Sequence, residues 1–236
     1  YNNRVKPELQ GLAIWLTSQY EKFRTAVLNA NPIAFLKSYD GLELLSPTLK
    51  RELIDELIKR VGRQRYDFSL PRKLAQLNHS YISMQLEKCL SDESLSLDSR
   101  VLALDIACAC HVKELQALLL MLAYDNQTHG TIRRHAIRVL GSIGDYETQQ
   151  QLKGLALQVW SEDYDIVPIK HEALKIVWPK RYISAKELFD SLPFPEVKKE
   201  LGNIILASTI AHTIAIHLRW VDIYYALRWI TKSPIH

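Results

Sequence analysis

Residues 100–110 read RVLALDIACAC, and residues 133–143 read RRHAIRVLGSI. Set one under the other at an offset of 33 residues, Arg100 falls on Arg133, Ala103 falls on Ala136, and three aliphatic pairs coincide. A third copy, IKHEALKIV at residues 169–177, puts Lys170 at the arginine position and Ala173 at the alanine. Within each copy the apolar residues recur every three or four positions, the spacing of one buried helix face. A second amphipathic segment accompanies the copies, at Leu115 to Tyr124 and at Gln149 to Trp160. Paired helices that recur every ~30 to 45 residues mark an array whose members bury their apolar faces only by stacking on one another. The recurring small alanine allows adjacent helices to approach closely.

The expected fold is therefore all-α: an α-solenoid of HEAT-like helical hairpins wound into a right-handed superhelix, with atypical capping helices at both ends. Three segments are expected to pack as one continuous array. They are an N-terminal helical segment at 1–78, the repeats at 79–180 and a C-terminal helical cap at 181–236.

Outward from the repeats, Leu9, Leu12, Ala13, Leu16, Tyr20 and Phe23 share one face of a first helix. Ser46 and Pro47 are a capping serine followed by proline at the first helical position. The helix they open carries Leu49, Leu53, Ile54, Leu57, Ile58 and Val61 on one stripe. Residues 63–78 read as a polar connector broken at Pro71, and Ile82, Leu86, Cys89 and Leu90 mark a further helix. Asp145, after Gly144, is placed to cap the second helix of its hairpin. Ser184 and Glu187 form a capping-box pattern. From Leu201 to Leu218 the chain is apolar over nearly a bilayer's thickness, but His212 and His217 interrupt it, so a helix buried among its neighbours is expected rather than a membrane span. A last helix carries Trp220, Ile223, Tyr224, Leu227 and Ile230.

The totals agree. Of 236 residues, 47 % are hydrophobic, enough for a sizeable core, and only 8 are glycine, which disfavours a turn-rich β fold. A formal net charge of +4 permits attraction to acidic partners without demanding it. Cys89, Cys108 and Cys110 make no disulfide framework, which points to a reducing, cytoplasmic setting. The chain begins at Tyr1 and is expected to be part of a longer protein.

Catalytic signatures are sparse. No G-x-x-x-x-G-K-S/T, G-x-G-x-x-G or G-x-S-x-G occurs. Gly141 and Gly144 read as helix-terminating glycines. Cys108-Ala-Cys110-His111 sits mid-helix, where C-x-C spacing turns the two thiols to different faces, and no second ligand cluster is evident, so buried cysteine as a small hydrophobe is the expected role. Glu162, Asp163 and Asp165 read as a solvated acidic loop. No cofactor, metal or catalytic residue is assigned, and an enzyme is not expected. A HEAT-repeat lyase or glycosylase would need a buried carboxylate among aromatic residues, and no such grouping is evident. The candidate binding residues are basic: Arg133, Arg134 and Arg138, with Lys170 as the repeat equivalent of Arg133. Arginines repeated by a solenoid can form a stripe for phosphates or carboxylates; the alternative is that they bond to the ends of neighbouring helices. His135 and His171 fall at near-equivalent repeat positions and could share that face.

Several segments together resemble the region downstream of the ATPase core in bacterial STAND proteins of the NACHT type. Val27 to Ile54 is similar to a pattern in which Asn31-Pro32, Tyr39-Asp40 and Arg51 stand at characteristic places. Val177-Trp178-Pro179, Glu187-Leu188-Phe189 and Ala226-Leu227 with Trp229-Ile230 resemble that region's closing motifs. The resemblance implies the C-terminal HEAT-like sensor of a switch ATPase active in anti-phage defence, with a protein trigger as partner. A nucleic-acid-binding module using the basic face is the alternative. No membrane partner is expected, and oligomerisation would lie with domains outside this chain.

Overall fold

The computed structural model describes residues 6–20, 23, 26–27, 32–37, 42, 45–61, 71–158, 166–192 and 208–231. Among these, every regular element is a helix or helical turn. They fall into two compact units, Tyr1–Leu115 and Gln116–His236.

In the first unit a helical turn at Pro7–Leu9 leads into α1 (Gln10–Gln19). α2 (Pro32–Lys37), α3 (Pro47–Val61), α4 (Pro71–Ala75), α5 (Ile82–Ser91) and α6 (Leu97–Ala109) follow. The Ser46 hydroxyl accepts from the Leu49 N–H at 3.3 Å, so α3 starts where the Ser-Pro signal places it. All six residues of its expected stripe are buried. α3, α4 and α5 each pack against α6. Pro71 opens a helix instead of breaking one, and it brings Leu74 and Leu77 into the core; residues 62–70 lie outside the described residues. At the start of α6 the Ser96 hydroxyl takes the Ser99 N–H at 3.1 Å, and Ser99 in turn donates to the Ile58 carbonyl at 2.6 Å. The α1 stripe turns outward, with Leu9, Leu12, Tyr20 and Phe23 exposed.

The second unit holds α7 (Gln116–Tyr124), α8 (Gly130–Ile143), α9 (Tyr146–Gln151), α10 (Lys153–Ala156), α11 (Ile166–Val177) and α12 (Ala185–Ser191). It ends with π and 3-10 turns at Ile210–Ile214, Ala215–His217 and Trp220–Asp222, and α13 (Ile223–Thr231). α7 pairs with α8 and α10 pairs with α11, while α8 and α11 pack on each other. The Asp145 and Ser184 caps form as expected, with Asp145 Oδ1 accepting from Thr148 at 2.8 Å and the Ser184–Glu187 box closed in both directions. The single helix expected from Gln149 to Trp160 divides at Leu152 into α9 and α10. The reason is Tyr124: its hydroxyl donates to the Gln151 carbonyl and would lie 2.6 Å from a Cβ on residue 154, where the chain has glycine. Gly144 ends α8 as expected, but Gly141 serves packing: a Cβ there would lie 2.8 Å from Ile176.

The three repeat copies coincide with α6, α8 and α11. Ala103, Ala136 and Ala173 have no exposed surface. The cation that precedes each alanine does one job three times. Arg100 Nη2 donates to the Leu90 carbonyl at 3.0 Å, and Arg133 Nε donates to Ala123 at 3.1 Å. Lys170 Nζ donates to Gln158 at 2.6 Å and to Ser191 at 2.9 Å. Leu90 and Ala123 are each the next-to-last residue of the preceding helix. Each cation thus reaches carbonyls left open at or just beyond the end of another helix and meets the negative end of its dipole. α6 and α11 also end alike. His111 (φ 52) and Arg181 (φ 62) take left-handed backbone, and the following N–H groups return to Ala107 and Val177 at 3.0 Å each, a Schellman closure made without glycine.

The Lys170 contacts give a stability test. Burial pushes its ammonium down to about 8, below the value of 10.5 usual for an exposed lysine. Between those pH values the unfolded chain binds the extra proton, so stability rises with pH across that window and is flat in this group below it. In Lys170→Met the rise attributable to this group disappears, and two carbonyls lose their donor, costing about 1 to 3 kcal/mol each before the relief of the buried charge. Urea unfolding of both proteins at pH 7 and pH 9.5 measures both effects: the variant is less stable at pH 7, and the gap widens at pH 9.5.

Candidate functional site

Of the four basic positions expected to form a binding stripe, two are taken into the interior. Arg133 is 6 % exposed and Lys170 is 0 % exposed. Their side chains serve the helix ends described above, so they are corrected here from surface contacts to internal caps. Arg134 and Arg138 remain on the outer side of α8. One residue along an α-helix is a turn of ~100°, which separates Arg134 from Arg133.

Around Arg134 and Arg138 a different basic grouping forms. Arg138 Nη2 lies 3.2 Å from Glu172 Oε1 on α11, and Lys175 Nζ lies 3.6 Å from Glu172 Oε2. Arg138 and Lys175 are about half exposed, whereas Glu172 is largely covered. His135 and His171 stand behind them. Burial and the neighbouring Arg138 and Arg134 hold the His135 imidazole down to about 4. His171 is lowered for the same reason, by burial first and then by Lys175. Its Nδ1 is hydrogen-bonded to the buried hydroxyl of Thr209. Both imidazoles are influenced by Arg134 and Glu172, although the repeat register pairs His171 with Arg134 and His135 with Glu172. The Arg134 Nε is buried with no acceptor among the described residues. The arginine pattern disclosed Arg134 and Arg138; His171 and Lys175 take part because they occupy the equivalent positions in the third copy, a signal present in the 37-residue offset between Arg133 and Lys170.

A second feature lies at the C-terminal end of this unit. The stripe at Trp220, Tyr224, Leu227 and Ile230 points outward, not into the core: Trp220 is 89 % exposed and Tyr224 is 64 % exposed, with Val221 and Ile216 also open. The helix is held by its other face. Trp229 is buried, tilted against Phe189 at 6.0 Å, and its Nε1 points at the Leu192 carbonyl at 3.4 Å. Asp222, also buried, accepts from Arg181 Nη1 at 2.8 Å and from the Arg219 backbone at 2.9 Å. Arg181 in turn donates to the His217 carbonyl and lies over the ring of fully buried Trp178, 4.2 Å from its centroid. Trp178 Nε1 donates to the Ile214 carbonyl at 3.2 Å. The described part of the 201–218 stretch, from 208 onward, is covered on one side only: Thr209, Thr213 and Ile214 are buried, while Ala211, His212 and Ile216 are open. Residues 208–218 thus differ from the expected helix enclosed on most sides, and residues 201–207 lie outside the described residues. No helix among the described residues is long and apolar enough to cross a membrane.

Asn31, Asp40 and the acidic positions Glu162, Asp163 and Asp165 lie outside the described residues. Arg51 sits exposed on α3. Cys110 is a buried thiol that donates to the Leu74 carbonyl at 3.3 Å, and burial pushes it up to about 12, so it has the packing role expected of it. The chain matches no family model, no curated protein and no solved structure.

The Asp222 network predicts a contrast between two arginines. Arg181→Met removes the close partner of a buried carboxylate and costs about 2 to 4 kcal/mol. Arg219→Met removes a side chain that is 62 % exposed at 3.7 Å from the same oxygen, and costs under about 1 kcal/mol. Thermal unfolding of the two variants, followed by circular dichroism, measures the difference; equal losses would show that Arg181 does not hold the carboxylate.

Proposed function

We propose that this chain is a protein-binding helical module: a HEAT-like solenoid segment that reads a partner on behalf of a larger switch protein of the STAND ATPase class. The observation that supports it best is the outward stripe of Trp220, Val221, Tyr224, Leu227 and Ile230. Large apolar residues gathered on one exposed helix face are costly in water, and aromatic residues in such patches are the usual anchors of protein interfaces. The repeated helix pairs support the solenoid reading, since stacked pairs present extended surfaces to partners. The STAND reading rests on the sequence resemblance, above all on Val177-Trp178-Pro179 and Trp229-Ile230, whose tryptophans both lie in the core of this unit.

The rim of the stripe narrows the partner. Arg219 and Arg228 are exposed on either side of it, and the acid between them, Asp222, is already taken up internally. An amphipathic helix with an apolar face and acidic flanks complements that arrangement in shape and in charge.

A peptide-display selection against the purified chain tests this. The expected winners carry apolar residues at helical spacing with flanking Asp or Glu. Their affinity should fall at least about tenfold against the double variant Trp220→Ala/Tyr224→Ala, as loss of two aromatic anchors at an interface requires. Both side chains are solvent-exposed, so the variant keeps its fold. Winners that bind the double variant as tightly as the parent would sink the proposal.

A further inference from the structure

The basic grouping on α8 and α11 is independent of the apolar stripe and carries a separate inference. Arg134 and Arg138 are one helical turn apart on α8; His171 and Lys175 are one turn apart on α11, at the positions the repeat makes equivalent. The two helices pack together, so the four side chains form two rungs of one short ridge. Arg134, Arg138 and Lys175 act on the two imidazoles with positive charge, opposed among the described residues by Glu172. Three cations against one carboxylate leave two positive charges unbalanced when both histidines are neutral.

We propose that this ridge is a binding site for a phosphate-monoester oxyanion, gripped by the guanidinium groups of Arg134 and Arg138 and the ammonium of Lys175, with His135 and His171 behind them. Two observations and a charge balance bear on that chemistry. Glu172 lies between Arg138 and Lys175 at 3.2 and 3.6 Å, so the ridge already holds one oxyanion in the fold. A phosphate monoester carries about −1.5 to −2 at neutral pH, which matches the remaining charge, and it offers three acceptor oxygens to forked donors. The Arg134 Nε–H is buried and has no acceptor among the described residues, so any grip on an anion falls to its terminal Nη groups. The ridge is too short for a nucleic-acid backbone, because the two cations that would lengthen it, Arg133 and Lys170, are turned into the interior.

The test is a titration of the whole chain with inorganic phosphate, read by the ring resonances of His135 and His171, beside sodium chloride at matched ionic strength. A bound dianion favours the imidazolium forms, so both histidines should titrate at higher pH by about one unit or more in phosphate and by much less in chloride. Arg134→Gln and Lys175→Gln should each weaken phosphate binding about tenfold or more. Lys175 is half exposed, so its variant folds even if the other does not. Two further arms separate the sources of the phosphoryl group: a mononucleotide monophosphate stands for a free ester and a phosphoserine peptide for a modified protein. Tighter binding of either one supports the site. Equal shifts in phosphate and chloride, unchanged binding by Lys175→Gln, or tighter binding of a duplex oligonucleotide without terminal phosphates would overturn it.

Discussion

Helix ends that stop inside a protein leave carbonyls that water cannot reach, and here a cation from a following helix answers them. Arg100, Arg133 and Lys170 each reach back to another helix's end, at Leu90, Ala123 and Gln158, and each stands three residues before an alanine with no exposed surface. The pairing fixes the register of the helices, because sliding one by a turn would withdraw the cation and strand the carbonyl. The alanine fixes their separation. Much of the rest depends on this arrangement. With residues 133 and 170 pointing inward, the helical rotation of ~100° per residue sends 134 and 171 to a different side, and the turn after that adds 138 and 175. The surface ridge is therefore a consequence of the internal caps.

This dependence also explains what could be read from the sequence. The repeat was legible because its two invariants, a cation and a small residue three positions later, recur at Arg100 and Ala103, Arg133 and Ala136, Lys170 and Ala173. Helix starts were legible at Ser46, Asp145 and Ser184, because a cap is a local interaction over three residues. The destination of the cations was not legible. A basic residue at helical spacing reads the same whether its partner is a solvent anion or a buried carbonyl, and only the neighbouring helix decides. The break at Leu152 was hidden for a related reason: its cause, the Tyr124 hydroxyl, comes from a different helix. Pro71 misled because proline both ends helices and begins them, and the apolar residues it brings inward, Leu74 and Leu77, lie after it.

The last helix shows the limit of periodicity. Trp220, Tyr224, Leu227 and Ile230 make a regular apolar stripe, and a regular stripe is ordinarily the buried one. Here the opposite face wins through a few specific contacts. Trp229 packs on Phe189 and reaches the Leu192 carbonyl, while Asp222 is clamped by Arg181. Desolvating the Asp222 carboxylate consumes part of its attraction to Arg181, so the pair's net contribution is smaller than its 2.8 Å contact suggests. The left-handed backbone at Arg181 serves the same end: it ends α11 and aims the guanidinium at both Asp222 and the Trp178 ring.

One hydrogen bond joins the ridge, and a second joins the turn after α11, to the segment that carries the exposed stripe. His171 is bonded to Thr209, at the start of the described stretch that leads to the stripe, and the Trp178 indole is bonded to the Ile214 carbonyl within it. The first bond is sensitive to charge. A neutral imidazole can accept from the threonine hydroxyl or donate to it, whereas an imidazolium can only donate, so charging His171 obliges Thr209 to act as acceptor. The second is insensitive, because an indole N–H donates in every state. The segment is thus pinned at Ile214 and conditionally tied at Thr209.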